Sequence, residues 1–191
     1  MKTIIFAIIT LAALPLAAGD IHGNVACKGV KNSADAVVYV DRIPGKTFPP
    51  PATHARIDQK GMVFIPHVKP VLIGTTIDFL NSDAVLHNVF SPDACADKFN
   101  LGTWPQGQTR SYTFKKECVA VLLCNVHPEM EAFALALPTP YFAVTSADGS
   151  YRIPDVPDGS YTVKVWHPKL KTAQQAVTVK GSTEANFQLA K

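Results

Sequence analysis

The sequence predicts an all-β protein, and two observations support this fold class. Apolar and polar residues alternate with the two-residue period of half-buried strands, and Gly, Pro and Asp-Gly turn signals separate the alternating stretches. No long stretch shows the apolar period of about 3.6 residues that an amphipathic helix requires. With 47% hydrophobic and 17% charged residues, the chain of 191 residues can bury a core, which excludes a disordered protein. A sandwich or barrel is therefore expected.

Residues 1–19 have the layout of a secretory signal peptide. Lys2 is their only charge, residues 3–16 form an apolar run, and small residues at 17–19 provide a cleavage signal. The alternative is an uncleaved membrane anchor, but the run is shorter than the roughly 20 residues that a spanning helix needs. We therefore expect cleavage, a periplasmic or secreted mature protein and no stable membrane insertion.

The predicted strands run through the rest of the chain. The alternation is clearest at 161–166, where every second side chain is apolar. The other predicted strand regions are 21–25, 36–40, 74–81, 110–114, 119–123, 145–153, 156–163 and 176–180. One short helix is expected from Ser91 to about Phe99, because a serine cap precedes Pro92 at the first helical position.

Two proline-rich breaks divide the mature chain. The stretches at 48–51 and 138–140 predict linkers or crossovers, because proline lacks the donor that a central strand needs. The outer segments 20–50 and 141–191 are each too small to bury much core alone, but together they make a plausible domain of roughly 80 residues. Segment 51–140 is then an insertion into that domain. The alternative is one larger sandwich built from all three segments.

The outer segments carry turn motifs that lead into strands, Asp-Gly-Ser-Tyr at 148–151 and Pro-Asp-Gly-Ser-Tyr at 157–161. In these motifs they resemble the carboxypeptidase regulatory-like (transthyretin-like) β-sandwich. The resemblance implies a smaller, discontinuous sandwich of this type, with the middle segment inserted into one of its loops.

The middle segment concentrates metal-binding residue types. Cys124, His127 and Met130 supply a thiol, an imidazole and a thioether within seven residues, and His87 is a second imidazole upstream. Thiolate and thioether ligands select copper, and two imidazoles with a thiolate and a weak axial thioether form the blue-copper arrangement that serves electron transfer. The apolar strand 119–123 delivers the cysteine at its end, and the proline that follows the loop histidine prevents a regular strand from continuing.

The Cys-x-x-His-x-x-Met spacing, with a proline after the histidine, resembles the cupredoxins and in particular the short ligand loop of the amicyanin type. Plastocyanin shares Cys-x-x-His but has a longer gap to its methionine. The resemblance covers about 65–137 and implies a Greek-key β-sandwich with one type 1 copper ion that alternates between Cu(I) and Cu(II). The copper ligands that it implies are His87, Cys124, His127 and Met130. It also implies that His127 is the more exposed ligand, on the electron-transfer surface, and that Asn88 helps to hold the ligand loops and the cysteine sulfur.

Other interpretations of single residues remain open. A cysteine and a histidine could hold structural zinc, although zinc seldom binds a thioether. A Cys–His hydrolase would need an oriented base and oxyanion donors, which nothing in the sequence marks, so we expect no enzyme. Glu129 is either a fifth ligand or a solvated loop charge, and solvation is favoured. His67 is expected at the surface or at a strand end, and His22, His54 and His167 have no evident partners, so no second metal site is predicted.

Assigning Cys124 to copper leaves three other cysteines. Cys27, Cys95 and Cys118 allow one disulfide and one leftover thiol, or no disulfide at all. Both Cys95–Cys118 and Cys27–Cys118 are reasonable pairs, and either would persist in an oxidising compartment.

The expected function is the transfer of single electrons between periplasmic redox partners, such as a c-type cytochrome or a dehydrogenase. The alternative is a periplasmic copper transport or storage protein in which the outer sandwich serves as an interaction module. A formal net charge of +3 without a basic run gives no reason to expect nucleic acid as a partner.

Overall fold

The computed structural model describes residues 18–191. The regular structure of this part consists of β-strands and one short 3₁₀ helix, so the all-β prediction is confirmed. The signal-peptide prediction lies outside the described residues, apart from Ala18 and Gly19, which begin the first strand. No helix in the described part of the chain has the length and apolar character needed to cross a membrane.

The strands are β1 (Ala18–Cys27), β2 (Val37–Val40), β3 (Ala55–Gln59), β4 (Phe64–Ile65), β5 (Val68–Leu72), β6 (Thr76–Asn81), β7 (His87–Phe90), β8 (Asn100–Trp104), β9 (Thr109–Thr113), β10 (Cys118–Leu123), β11 (Glu131–Leu137), β12 (Phe142–Val144), β13 (Ser150–Pro157), β14 (Gly159–His167), β15 (Leu170–Val179), β16 (Ser182–Glu184) and β17 (Phe187–Leu189). The 3₁₀ helix, Ala94–Ala96, lies between β7 and β8.

Strands from the two ends of the described chain form one pair of sheets, which we call the outer sandwich (β1, β2 and β12–β17). Strand β1 pairs antiparallel with β13 and parallel with β16 and β17, and the second sheet has the order β12-β2-β14-β15. In β14, Tyr161, Val163 and Val165 are buried and Thr162 is exposed, as the alternation predicts. These apolar side chains share one core with Ile21 of β1.

The remaining strands form a second pair of sheets, which we call the middle sandwich (β3–β11). Its sheets have the orders β5-β11-β10-β7-β8 and β4-β3-β6-β9. The core contains the fully buried side chains of Phe79, Trp104, Phe114 and Leu122. Among the described residues, no strand of the middle sandwich pairs with a strand of the outer sandwich. The domain boundaries at 51–140 stay a prediction.

The two sandwiches pack against each other through an apolar junction. Val37 of β2 shares a buried cluster with Val68 of β5 and Leu135 of β11. Next to this cluster, the ring centroids of Phe133 and Trp166 are 5.3 Å apart. Burial of these side chains stabilises the contact between the two sandwiches, because apolar surface is removed from water.

The predicted helix from Ser91 to Phe99 is wrong in its extent. Only Ala94–Ala96 is helical, because Asp97 and the residue after it have left-handed backbone conformations that end the turn. The Ser91 hydroxyl accepts the N–H of Asp93 at 3.3 Å and does not cap a helix. The Asp93 carboxylate accepts a main-chain N–H of β10 at 2.7 Å instead, which leaves no side-chain cap for a longer helix.

A disulfide joins the 3₁₀ helix to the start of β10. It links Cys95 to Cys118, with a Cα–Cα distance of 5.3 Å. This is one of the two pairings that the sequence left open. The free cysteines in the described residues are Cys27, which is half-buried, and Cys124, which is buried.

A polar cluster on β6 and β9 involves a histidine for which the sequence suggested no partner. The Ser111 hydroxyl donates to Asp78 Oδ1 at 2.7 Å, and His54 Nδ1 lies 2.9 Å from the same oxygen. The hydrogen bond from Ser111, followed by that from His54, lowers the pKa of Asp78 against the opposing effect of partial burial.

Candidate metal centre

Two strand ends and one loop bring three predicted ligands together. Strand β7 begins at His87, and Cys124 directly follows the end of β10. Because these strands are antiparallel and Leu123 pairs with Phe90 at the end of β7, the residues that follow β10 run along β7 toward His87 at its start. His127 lies in the loop that connects β10 to β11.

The ligand atoms of these residues form a compact cluster. One nitrogen each of His87 and His127 and the sulfur of Cys124 all lie within 4.8 Å of one another. The two Nδ1 atoms are 3.1 Å apart. His87 and Cys124 are buried, whereas His127 is half-buried, so water reaches this cluster mainly from the His127 side.

Met130 ends the loop. Its side chain is buried in the same core as Cys124, and its main-chain N–H donates to the carbonyl oxygen of His127 at 3.0 Å. This hydrogen bond closes the loop into a tight turn, as the proline after the histidine predicts. The assignment of Met130 and the three clustered residues as copper ligands stays a prediction.

Asp83 orients the buried imidazole and was not identified as a site residue from the sequence. Its Oδ2 lies 2.9 Å from His87 Nε2. Because a carboxylate only accepts hydrogen bonds, Nε2 is the donor, and Nδ1 is the nitrogen that lies toward the cluster, 3.1 Å from His127 Nδ1. Hydrogen-bonded carboxylates of this kind fix the tautomer and ring orientation of metal-binding histidines. The only sequence signal is an aspartate four residues before the histidine.

Asp83 is itself held by the turn between β3 and β4. It accepts the N–H groups of Gly61 at 2.7 Å and Met62 at 2.9 Å. The pKa of Asp83 is lowered to about 2, and the hydrogen bond from the N–H of Met62 is the largest cause. The hydrogen bonds from Gly61 and His87 also lower it, whereas partial burial opposes the shift. The carboxylate is therefore ionised at neutral pH.

Asn88 connects the two segments that carry the clustered residues. Its main-chain N–H donates to Cys124 Sγ at 3.4 Å, and its Oδ1 accepts the N–H of Asn125 at 3.2 Å. Its Nδ2 donates to Gly102 O at 2.7 Å and to Asn100 Oδ1 at 2.9 Å. The arrangement agrees with the expected role of Asn88 in holding the loops and the sulfur.

The donor set fits copper. A thiol, two imidazoles and a thioether from the same loop are the soft and intermediate ligands that copper prefers, whereas a tetrahedral zinc site usually takes a fourth N, S or O ligand. The nearest acidic candidate in the loop, Glu129, is exposed, in agreement with a solvated charge. Among residues 18–191, no other group of at least three His, Cys, Asp or Glu residues is close enough to hold a metal ion.

Both families that the sequence resembles appear among the matches of this chain to known proteins. Residues 131–190 match the family model of the carboxypeptidase regulatory-like domain. This match begins at β11, upstream of the predicted boundary at 141. No curated protein sequence matches the chain.

The solved structures similar to this chain include several copper proteins. A purple cupredoxin from Nitrosopumilus maritimus is 24% identical, with a match that covers 43% of this chain and 98% of that chain at a TM-score of 0.39. A Cu(I) amicyanin mutant is 20% identical, and the match covers 44% of this chain and 81% of that chain at a TM-score of 0.42. The copper-containing nitrite reductase from Thermus scotoductus SA-01 is 22% identical, and the match covers 52% of this chain and 25% of that chain at a TM-score of 0.43.

Proposed function

We propose that this chain is a periplasmic type 1 copper protein that carries single electrons between redox proteins. The observation that supports this most is the cluster of His87, Cys124 and His127, whose ligand atoms lie within 4.8 Å of one another. Met130, in the same loop, is the proposed axial ligand. A copper ion bound by these residues would supply one-electron chemistry between Cu(I) and Cu(II).

Hydrogen bonds that position these residues independently of a metal favour electron transfer. The imidazole of His87 is held by Asp83, and the sulfur of Cys124 accepts the N–H of Asn88. Such contacts orient the ligands and tune the metal. Because His87 and Cys124 are also buried, these residues would shield a bound ion from water, and their hydrogen bonds would hold them in place when its charge changes. We therefore propose an electron carrier and not an enzyme.

The surface next to His127 supports transient docking of a redox partner. Three apolar side chains that directly precede the two histidines are exposed: Val85 by 45%, Leu86 by 51% and Val126 by 42%. Exposed apolar patches commonly mark interaction sites, and redox encounters bury little surface. The proposed partners are redox proteins such as a c-type cytochrome or a dehydrogenase. The Cys95–Cys118 disulfide is compatible with the proposed oxidising compartment.

The proposal is tested by adding Cu(II) to the purified protein and recording its visible absorption and EPR spectra. We expect an intense thiolate-to-copper charge-transfer band that disappears in Cys124→Ser. Cys27→Ser is the matched control, because Cys27 is the other free cysteine in the described residues, and its spectrum should equal that of the wild type. Absence of the band from the wild-type protein would refute the type 1 assignment.

A second measurement separates electron transfer from copper transport. The copper-loaded protein should exchange electrons rapidly with a c-type cytochrome and lose its metal only slowly to a Cu(I) chelator. Rapid loss of Cu(I) with slow electron exchange would overturn the carrier proposal in favour of copper delivery.

A further inference from the structure

A cavity of about 410 Å³ lies at the junction of the two sandwiches, and the metal centre contributes nothing to its walls. The residues that line it include Phe48 of the linker, Phe142 of β12, and Val71 and Leu72 of β5. Its volume falls within the range of roughly 300–1,000 Å³ typical of small-molecule sites, which often occur between domains.

The cavity wall contains a buried hydroxyl that the protein leaves unpaired. Thr75 lines the cavity and is buried, and its Oγ1 has no hydrogen-bond partner among the described residues. An unpaired buried hydroxyl costs free energy, because it has lost its hydrogen bonds to water. The oxygen has almost no accessible surface, so a ligand reaches it when the Thr75 side chain rotates toward the cavity, and the hydrogen bond formed then would remove this cost.

One lysine that lines the cavity points to an anionic ligand. Lys69 and His54 are among the lining residues, whereas no Asp or Glu is, and His54 already contacts the Asp78 carboxylate. Lys69 forms no ion pair with any described residue. One unpaired ammonium group beside an otherwise mostly apolar wall is complementary to a single carboxylate on an apolar body.

The linker wall is held in place by close packing. Gly74 has a φ of 88°, and a Cβ at this position would lie 3.0 Å from the Pro50 ring atoms. The linker therefore lies directly on the turn between β5 and β6, next to Thr75. A preformed wall lowers the entropy cost of binding, because little ordering is needed when a ligand enters.

We propose that this cavity binds a small monocarboxylate with an aromatic or branched apolar body. The body packs between Phe48, Phe142 and the β5 side chains, the carboxylate pairs with the Lys69 ammonium, and it accepts a hydrogen bond from the Thr75 hydroxyl. Because residues of both sandwiches contact it, the ligand stabilises their junction. This site is independent of the proposed electron transfer.

The test is isothermal titration calorimetry of the full chain, copper-loaded where it takes up copper, with cinnamate as the probe. Cinnamyl alcohol is the neutral control and should bind at least about tenfold more weakly, because it cannot pair with the ammonium. Lys69→Met should weaken cinnamate binding by about the same factor. Lys115→Met, which removes an exposed lysine away from the cavity, should leave it unchanged.

A second variant separates a binding role from a structural one. Thr75→Val keeps the side-chain shape and removes only the hydroxyl, so it should weaken cinnamate about fivefold while the melting temperature of the ligand-free protein stays equal or rises. Saturating cinnamate should raise the wild-type melting temperature. No cinnamate binding, or equal binding by the wild type and Lys69→Met, would overturn the proposal. Equal binding of cinnamate and the alcohol would also overturn it.

Discussion

Asp83→Ala is expected both to destabilise the protein and to weaken metal binding. The carboxylate connects the turn between β3 and β4 to His87, since it accepts the N–H groups of Gly61 and Met62 and lies 2.9 Å from His87 Nε2. Alanine removes all three hydrogen bonds at once. The imidazole then loses the group that sets its tautomer and its ring orientation.

The size of both effects can be estimated from these contacts. A hydrogen bond to a charged group contributes about 1.5–3 kcal/mol. The Asp83 side chain is 17% exposed, so water replaces part of each interaction and the lower value applies. The two main-chain hydrogen bonds then account for about 3 kcal/mol of the free energy of unfolding. Removing a carboxylate that orients a metal-binding histidine typically lowers metal affinity by about 10–100-fold.

Two assays measure the two effects separately. Urea unfolding of the metal-free variant reports the change in the free energy of unfolding, and competition with a calibrated chelator reports copper affinity. Glu117→Ala is the control, because it removes a carboxylate from an exposed ion pair with Arg42. Such pairs contribute about 0–1 kcal/mol, and copper affinity should stay at the wild-type value.

Copper binding by Asp83→Ala as tight as that of the wild type, together with a lower stability, would show that Asp83 holds the turn without orienting the imidazole and would refute its positioning role. A variant with wild-type stability would show that the hydrogen bonds to Gly61 and Met62 contribute nothing measurable.

Three further predictions concern parts of the fold outside the metal centre. Replacing both Cys95 and Cys118 by serine should lower the free energy of unfolding by about 3 kcal/mol in urea, because the disulfide spans a sequence separation of 23; the copper spectrum should not change. Gly74→Ala should cost about 1–2 kcal/mol, because alanine is strained at a φ of 88° and its Cβ would press on Pro50, and an unchanged melting temperature would contradict this. In Asp78→Asn, the free energy of unfolding should fall less steeply than in the wild type as the pH decreases through the acidic range. The lowered pKa of Asp78 means that its contribution is complete above the unfolded pKa of about 3.9 and is lost as pH falls through the lower folded pKa. Urea unfolding across that pH range checks this, and parallel curves for the two proteins would disprove it.

Local sequence patterns predicted much of the fold and of the candidate site. The alternation at 161–166 correctly places its apolar side chains in a core, because the two-residue period of a strand is a property of the backbone alone. The spacing of Cys124, His127 and Met130 also concerns one short loop. The helix predicted from Ser91 to Phe99 does not form over its full length, because the Ser91 hydroxyl and the Asp93 carboxylate make other hydrogen bonds. The Asp93 carboxylate binds the main chain of the distant strand β10.

The sequence by itself determined the all-β class and the residue types available to a metal, since both follow from periodicity and from donor chemistry within short segments. Only the tertiary structure decided that His87 meets the loop, that Asp83 orients it, that Cys95 pairs with Cys118, and that Thr75 lines a cavity between two sandwiches. Each of these contacts joins separate segments of the chain. Their distances depend on strand pairing and on the packing of two cores, which no local pattern encodes.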